Sequence, residues 1–468
     1  MSGAGKSILT AGLLRLLRQE GFRVAPFKSQ NMALNSYVTL DGKEVGRAQA
    51  LQALAAGRAV SGDMNPILLK PTGERSSQVI VNGLPIGDMD AAEYFRNKKK
   101  YVPDILDAYD RLSKDTDIIV IEGAGSPVEI NLRSEDIVNM GLAKLVDANV
   151  LLVGNIDPGG VFAQLLGTVN LMPEKERERV KGLIINKFRG DVSLLTPGLS
   201  MFKEYCDIPF AGVIPYMDLD LDEEDSLSDK LRERDGFLYP DKVKIAVIRL
   251  PYISNYTDYS VFEKTEDVEL IYTQDKGAIA EADLVIIPGT KNTLSDLTWM
   301  RKNGLDTAVR AAAEKRTLVI GICGGFQILG RSIDDEKGLS LLPVDTTFVD
   351  EKDLKQVEGE LPAIDGVYES LAGRKFIGYE IHMGRTHAGC DTYRVVTKES
   401  VLGTYIHGFF DSPEIVGGLL RMLYKRCGIN KAVPQIESRQ LTQDKELDRL
   451  AACLRENLDM DLVYRAIG

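Results

Sequence analysis

The chain has 468 residues, 44% apolar and 27% charged, which is an ordinary soluble mixture too long for one hydrophobic core. A net charge of −12, from 57 basic and 69 acidic residues, argues against a nucleic-acid binder and leaves any anionic substrate to local cations. Cys206, Cys323, Cys390, Cys427 and Cys453 form no CxxC pair, which argues against a disulfide framework or structural zinc; without a signal peptide or a membrane-length apolar run, a cytoplasmic enzyme with no membrane or nucleic-acid partner is expected.

Gly3-Ala4-Gly5-Lys6-Ser7 opens a predicted helix from Ser7 to Gln19, where Ile8, Leu9, Leu13, Leu16 and Leu17 fall near helical spacing. Glycines before a helix let backbone N–H groups approach phosphate oxygens, and the helix dipole adds to that. Lys6 is then placed for the outer phosphates and the Ser7 hydroxyl for Mg²⁺. The complete loop motif needs an earlier glycine and a strand before it. The chain is therefore expected to extend upstream of Met1 by that glycine and about one strand, roughly 5–6 residues.

Lys28 follows a short apolar run and can supply a second cation. Apolar runs at Asp117–Ile121, Val150–Val153 and Leu183–Ile185 have strand length, and each ends in Gly, Asn or Asp, as buried parallel strands ending in functional loops do. Glu122 ends the first of these, placed to hold Mg²⁺ directly or through water, or to serve as a turn residue. Asn186 follows the third, and reads either as a base-edge contact or as a loop residue. Lys98-Lys99-Lys100 reads as a solvated run, and Asp218 to Asp235 as an acidic linker on the surface.

A second α/β pattern begins at Lys244–Ile248, with strand-like runs at Asp283–Ile287, Leu318–Ile322 and Leu402–Ile406. In Val319-Ile320-Gly321-Ile322-Cys323-Gly324-Gly325-Phe326-Gln327, an apolar strand runs through glycines into a helix pattern, the signature of a nucleophile elbow. The N–H groups after Cys323 can face an oxyanion, and the helix N-terminus favours the thiolate. The thiol needs a base. His407, at the end of another short strand, is the best of three candidates, ahead of His382 and His387. The tail beyond Gln440 is predicted as one amphipathic packing helix with Leu447, Leu450, Leu454 and Leu458 on a stripe. The fold expected is α/β, two doubly wound, mostly parallel-sheet domains at 1–235 and 242–430, followed by that helix at 440–468.

The chain resembles the cobyric acid synthase family of cobalamin biosynthesis over nearly its whole length. The resemblance rests on Pro26–Ser36, Asp63–Pro71, Glu122–Pro127, Asn155–Ala163, Asn186–Asp191, Gly321–Gly330, Gly378–Gly384 and Tyr405–Gly408. It implies a dethiobiotin-synthetase-like P-loop domain joined to a class I glutamine amidotransferase domain of the cobyrinate type. The implied substrates are glutamine, ATP and a corrinoid, with Mg²⁺; four carboxylates (b, d, e and g) of adenosylcobyrinic acid a,c-diamide would be amidated. Cys323 and His407 are then the catalytic pair, and Gly289, Gly324, Gly325 and Gln327 the oxyanion and glutamine-binding set. Gly3, Gly5, Lys6, Ser7, Lys28 and Asn186 hold the nucleotide, with Ser7 and Glu122 at the metal.

The Pro and Glu that commonly follow the histidine of class I glutaminases are replaced here by Gly408-Phe409-Phe410, as in the cobyrinate subgroup. The group that orients His407 is left open, with Glu380 a weak candidate. Lys70, Arg75 and Arg385 read as substrate contacts or surface salt bridges. Competing readings are an a,c-diamide synthase, a partitioning-type P-loop ATPase switch and a degenerate regulatory protein. No Lys precedes Lys6, and an intact Cys323 elbow counts against the last two.

Overall fold

The computed structural model describes residues 3–73, 75–222, 233–364, 366–387 and 394–468. Helix α1 runs Lys6–Gln19 and buries Leu9, Leu13, Leu14, Leu16 and Leu17. The strand after it, Val24–Phe27, pairs in parallel with Ile118–Ile121, in register from Val24↔Ile118 to Phe27↔Ile121. That register sets Lys28 and Glu122, each one residue past its strand, side by side. A second parallel set has Val180–Phe188 between Val150–Asn155 and Phe210–Pro215.

Among the described residues the two parallel sets share no strand pairing. A cavity of about 420 Å³ lies between them, lined by every residue of 118–121 and 150–153 and covered by Leu9, Leu13 and Leu17 of α1. Successive strand residues point to opposite faces, so a cavity that touches all of them runs along the strand edges.

Helix α2, Arg47–Ala56, packs between α1 and the first strand and buries eight of its ten residues, Gln49 and Gln52 included. Two smaller sheets go beyond the expected doubly wound pattern. One is the hairpin Ser36–Val38 with Glu44–Gly46. The other is the mixed sheet of Gln30–Met32, Ile67–Pro71, Ser76–Val81 and Leu84–Asp90. Lys98 is buried and lies over the Phe95 ring, so the lysine run expected to be solvated is partly packed.

The second half is built on a six-stranded sheet. Its order is Val268–Thr273, Val243–Ile248, Leu284–Ile287, Leu318–Ile322, Val401–Thr404 and Val395–Lys398, parallel except for the last. Its central strands are buried on both faces, which is why they read as continuous apolar runs. Against it lies an antiparallel ribbon of Asp345–Glu360 and Lys375–His387.

The expected strand Leu402–Ile406 is in fact divided. Val401–Thr404 stays in the parallel sheet, while Ile406–His407 crosses to the ribbon and pairs Tyr379↔His407. The break is fixed by Thr404, whose hydroxyl accepts the Ile406 N–H at 3.1 Å and donates to the Arg394 carbonyl at 2.7 Å.

The tail is two helices, Arg439–Asn457 and Met460–Ile467, where one was expected. Asp459 stops the first and caps the second, accepting the Leu462 N–H at 3.0 Å while its own N–H binds the Ala211 carbonyl at 2.7 Å. Leu447, Leu450, Leu454 and Leu458 join the core under α1, and Arg15 of α1 pairs with Asp444 and Asp448. The tail thus completes the first half of the molecule.

The acidic stretch from Asp218 departs from a solvated linker in its described part. Asp222 is buried between Arg47 and Arg439, at 2.9 and 2.7 Å. Burial works against its carboxylate, but the two guanidiniums outweigh that and hold it well below the usual range. Residues 223–232 of that stretch, and Cys390, lie outside the described residues. Cys206, Cys323, Cys427 and Cys453 are free thiols. No helix among the described residues is long and apolar enough to cross a membrane.

Candidate active site

The Gly3–Ser7 loop turns into α1 at Gly5, whose φ is 75° and whose Cβ position is 2.7 Å from Asn186 Nδ2. Only glycine meets both conditions. Two asparagines brace the loop from paired strand ends. Asn186 donates to the Ala4 carbonyl at 2.8 Å and Asn155 to the Gly3 carbonyl at 3.1 Å. Asn186 therefore supports the loop from beneath. Lys6 reaches the Gly125 carbonyl at 3.3 Å.

The Ser7 hydroxyl donates to Glu122 Oε1 at 2.7 Å, and Lys28 Nζ meets the same oxygen at 2.9 Å. Glu122 Oε2 accepts from Gln52 Nε2 at 2.7 Å, and Gln52 also donates to the Ser7 carbonyl at 3.2 Å. A carboxylate 3% exposed is thus matched by a cation, a hydroxyl and an amide. Two hard oxygens stand together here. Among the described residues no group of three or more His, Cys, Asp or Glu surrounds a metal position. That donor set suits Mg²⁺, which takes few protein oxygens and completes its shell with water and phosphate. Sequence reasoning missed Gln52; the signal it offered was a pair of glutamines, Gln49 and Gln52, in an Ala-rich run.

At the other site the buried strand Leu318–Ile322 ends on Cys323, with φ 51° and ψ −106°. A non-glycine residue there stores about 1–3 kcal/mol of strain, which the packing around it must hold. The Cys323 N–H donates to the Thr404 carbonyl at 2.8 Å and its thiol to the Ile381 carbonyl at 3.4 Å. Gly324 and Gly325 begin the following helix, Gly324–Leu329, and a Cβ on Gly325 would lie 2.6 Å from the Ile287 carbonyl carbon. The strand-to-helix turn therefore closes tightly over the neighbouring strand.

His407 is 2% exposed and lies against Gly289, whose Cβ position would be 2.9 Å from the ring. Its Nδ1 faces Asp258 Oδ2 at 2.8 Å, and Asp258 Oδ1 accepts the Gly408 N–H at 3.1 Å. Tyr379 stacks on the imidazole, with ring centres 5.5 Å apart and planes 21° apart. Burial works against a charged imidazole. The Asp258 carboxylate, with hydrogen bonds to it and to the Cys323 thiol, outweighs burial and pushes His407 up to about 10.

Asp258 is the orienting group left open by the sequence. It stands 149 residues before His407, in a short turn between the buried Tyr256 and Tyr259, with no spacing to announce it. Glu380, the weak candidate, is on the other face of its strand: Tyr379 opposes His407, so the next residue points away. It meets Lys355 at 2.8 Å and Arg394 at 3.4 Å. His382 stacks on Tyr405 and its Nδ1 bonds the Gly384 carbonyl at 2.8 Å, as a packed core histidine does. Exposed His387 ends the ribbon. Gln327 is 2% exposed; its amide accepts from Thr293 at 2.8 Å and donates to Tyr405 at 3.2 Å.

Of the basic residues singled out for substrate, Arg385 pairs with exposed Glu351 at 3.1 Å, and Arg75 is exposed. Lys70 is buried at the domain junction, bonding Ser36 at 2.9 Å and Glu44 at 2.7 Å. Glu44 also pairs with Lys352 of the glutaminase half. Burial disfavours the Glu44 carboxylate, but Lys352 and Lys70 outweigh that and hold it far below its ordinary value.

Residues 1–227 match the family described as the CobQ/CobB/MinD/ParA nucleotide binding domain, and residues 244–415 match the CobB/CobQ-like glutamine amidotransferase domain. The chain is 47% identical to a protein named cobyric acid synthase from Ruminiclostridium cellulolyticum, over 100% of this chain and 95% of that one. It is 47% identical to one of the same name from Lachnoclostridium phytofermentans, over 99% and 97%. A third, from Streptococcus sanguinis, is 43% identical over 100% and 97%.

Proposed function

This chain belongs to the cobyric acid synthase family, and from that membership we propose that it amidates corrinoid carboxylates, taking nitrogen from glutamine and driving force from ATP. The acceptor is adenosylcobyrinic acid a,c-diamide, whose b, d, e and g carboxylates are converted to amides, giving cobyric acid. The observation that carries this reading is that one chain holds both the Ser7–Glu122 loop site and the Cys323–His407–Asp258 arrangement.

The glutaminase half begins with Cys323 passing its proton to His407, whose protonated form the Asp258 carboxylate favours. The thiolate attacks the glutamine side-chain carbonyl, and N–H groups after Cys323 stabilise the oxyanion. His407 passes its proton to the departing nitrogen, so ammonia leaves and a thioester remains. Water then adds with His407 as base, releasing glutamate and regenerating the thiol. Asp258 keeps the imidazole in one tautomer and orientation throughout.

In the other half, a substrate carboxylate oxygen attacks the terminal phosphorus of ATP, giving an acyl phosphate and ADP. Ammonia adds to the acyl carbon, phosphate leaves, and a proton is lost to solvent. Gly3, Gly5 and Lys6 hold the phosphates, with Lys28 anchoring Glu122. Ser7 and Glu122 would hold Mg²⁺, which neutralises charge on the phosphate oxygens.

Incubation with cobyrinic acid a,c-diamide, glutamine, ATP and Mg²⁺, followed by mass spectrometry, should give a ladder of four acid-to-amide conversions. Cys323→Ser should lose the ladder with glutamine and keep it with ammonium chloride. A wild-type protein that converts nothing with either nitrogen source would refute the reading.

A further inference from the structure

Helix α2 touches both sites. At one end Gln52 donates to Glu122 at 2.7 Å and to the Ser7 carbonyl at 3.2 Å. Arg47 begins the helix five residues earlier, about 7.5 Å along its axis. The Arg47 guanidinium donates to the Tyr379 hydroxyl at 3.2 Å and is anchored by Asp222 at 2.9 Å. Tyr379 is a residue of the glutaminase half, yet its hydroxyl is engaged wholly by the other half. It accepts from Arg47 and donates to the Ser36 carbonyl at 3.1 Å. Its ring is held between Tyr37, at 5.1 Å, and the His407 imidazole, at 5.5 Å.

A second strut runs beside the first. The Ser36 N–H donates to Asn255 Oδ1 at 2.9 Å, and the Asn255 carbonyl accepts the Asp258 N–H at 3.0 Å. The ring that stacks on His407 and the turn that carries its orienting carboxylate are therefore both fastened to residues 36–47. These groups are buried, so each hydrogen bond is costly to leave unmade. The helix between them is short and largely buried. Gln52 Oε1 is buried without a hydrogen-bond partner among the described residues, so the amide has a bond to gain in a second arrangement.

Resting on the reading of the two sites given above, we propose that Tyr379, held by Arg47 and Ser36, is a positioning residue through which the state of the Ser7–Glu122 site sets the His407 imidazole. Ligands on Ser7 and Glu122 compete with Gln52 for the carboxylate, and α2 and the 36–47 hairpin relay the change to Tyr379. Linkage makes the coupling reciprocal: occupying the glutamine site changes nucleotide affinity by the factor through which nucleotide changes glutamine-site affinity.

The test is equilibrium binding. The Kd of a non-hydrolysable ATP analogue with Mg²⁺ is measured before and after Cys323 is alkylated by a diazoketone analogue of glutamine. Wild type should show a ratio of the two constants of at least about fivefold. Tyr379→Phe keeps the ring on His407 and removes only the two cross-domain hydrogen bonds; it should bring the ratio to within about twofold of unity. In that variant, nucleotide stimulation of glutaminase kcat should vanish while KM for glutamine holds. Gln52→Leu, at the far end of α2, should collapse the ratio as well, and decides the matter if the Tyr379 variant does not fold. A wild-type ratio of one, or a wild-type ratio retained in the variants, overturns the relay. Because the readout is binding, that outcome is separable from a failure to amidate corrinoid, which would instead overturn the function.

Discussion

Replacing Asp258 by Asn removes one charge from the glutaminase site and leaves its shape intact. In the native site the carboxylate lies 2.8 Å from His407 Nδ1, both groups buried. His407 is raised from an ordinary 6.5 to about 10, which corresponds to roughly 5 kcal/mol in favour of the protonated ring. Without Asp258, only the interaction with Cys323 opposes burial, and the imidazole loses the main support for its proton. The proton needed by the departing ammonia is then missing, and the ring loses its fixed tautomer. Glutamine hydrolysis should fall on the order of 10²- to 10⁴-fold in kcat, while amidation supported by ammonium chloride stays near wild type. The stability consequence has a definite sign. A raised histidine contributes stability fully below about 6.5 and loses it as pH rises towards about 10. The wild-type advantage in thermal unfolding should therefore be largest at pH 6 and close progressively between pH 7 and 10. A variant hydrolysing glutamine within threefold of wild type, with the same pH profile, would show that Asp258 merely fills space.

Three further outcomes are expected. Glu44→Gln leaves Lys70 and Lys352 buried without their carboxylate, and should cost roughly 3–5 kcal/mol in urea unfolding. Because Glu44 is depressed from 4.5, that deficit should be full above about pH 5 and shrink in acid. Ser7→Ala and Glu122→Gln should abolish corrinoid amidation with either nitrogen source and weaken Mg²⁺–nucleotide binding by calorimetry, while Cys323 is still alkylated at a measurable rate. Leu454→Ala, at a fully buried position against α1, should cost about 2–5 kcal/mol, read as a lowered Tm of the nucleotide-binding half.

The features legible in the sequence are those whose cause is local. The α1 stripe, the apolar runs at 183–185 and 318–322, and the glycines after Cys323 announce themselves because burial, or a sharp turn, dictates residue type within a few positions. Cys323 and His407 stand out for the same reason, each closing such a run. The antiparallel ribbon was hidden because Asp345–Glu360 is half-exposed and rich in charge, which reads as loop. Asp258 and Gln52 were hidden because their partners are distant in the chain, and nothing within a few residues of either depends on that contact. Asp222 shows the limit most sharply. Its neighbours look like an acidic linker, and its burial is decided by Arg47 and Arg439, which reach it from opposite ends of the chain.

The tail helices against α1 bear on how the molecule is made. Arg15 and its partner Asp448 are 433 residues apart, a distance a ribosome covers in roughly 20–90 s. During that interval the part of α1 that faces the tail helices has no native cover, and the first half to be synthesised is the last to be completed. Glutaminase strands meanwhile close among near neighbours. A premature stop before Arg439 would accordingly harm the half at the beginning of the chain, while the half nearest the lesion keeps its own core.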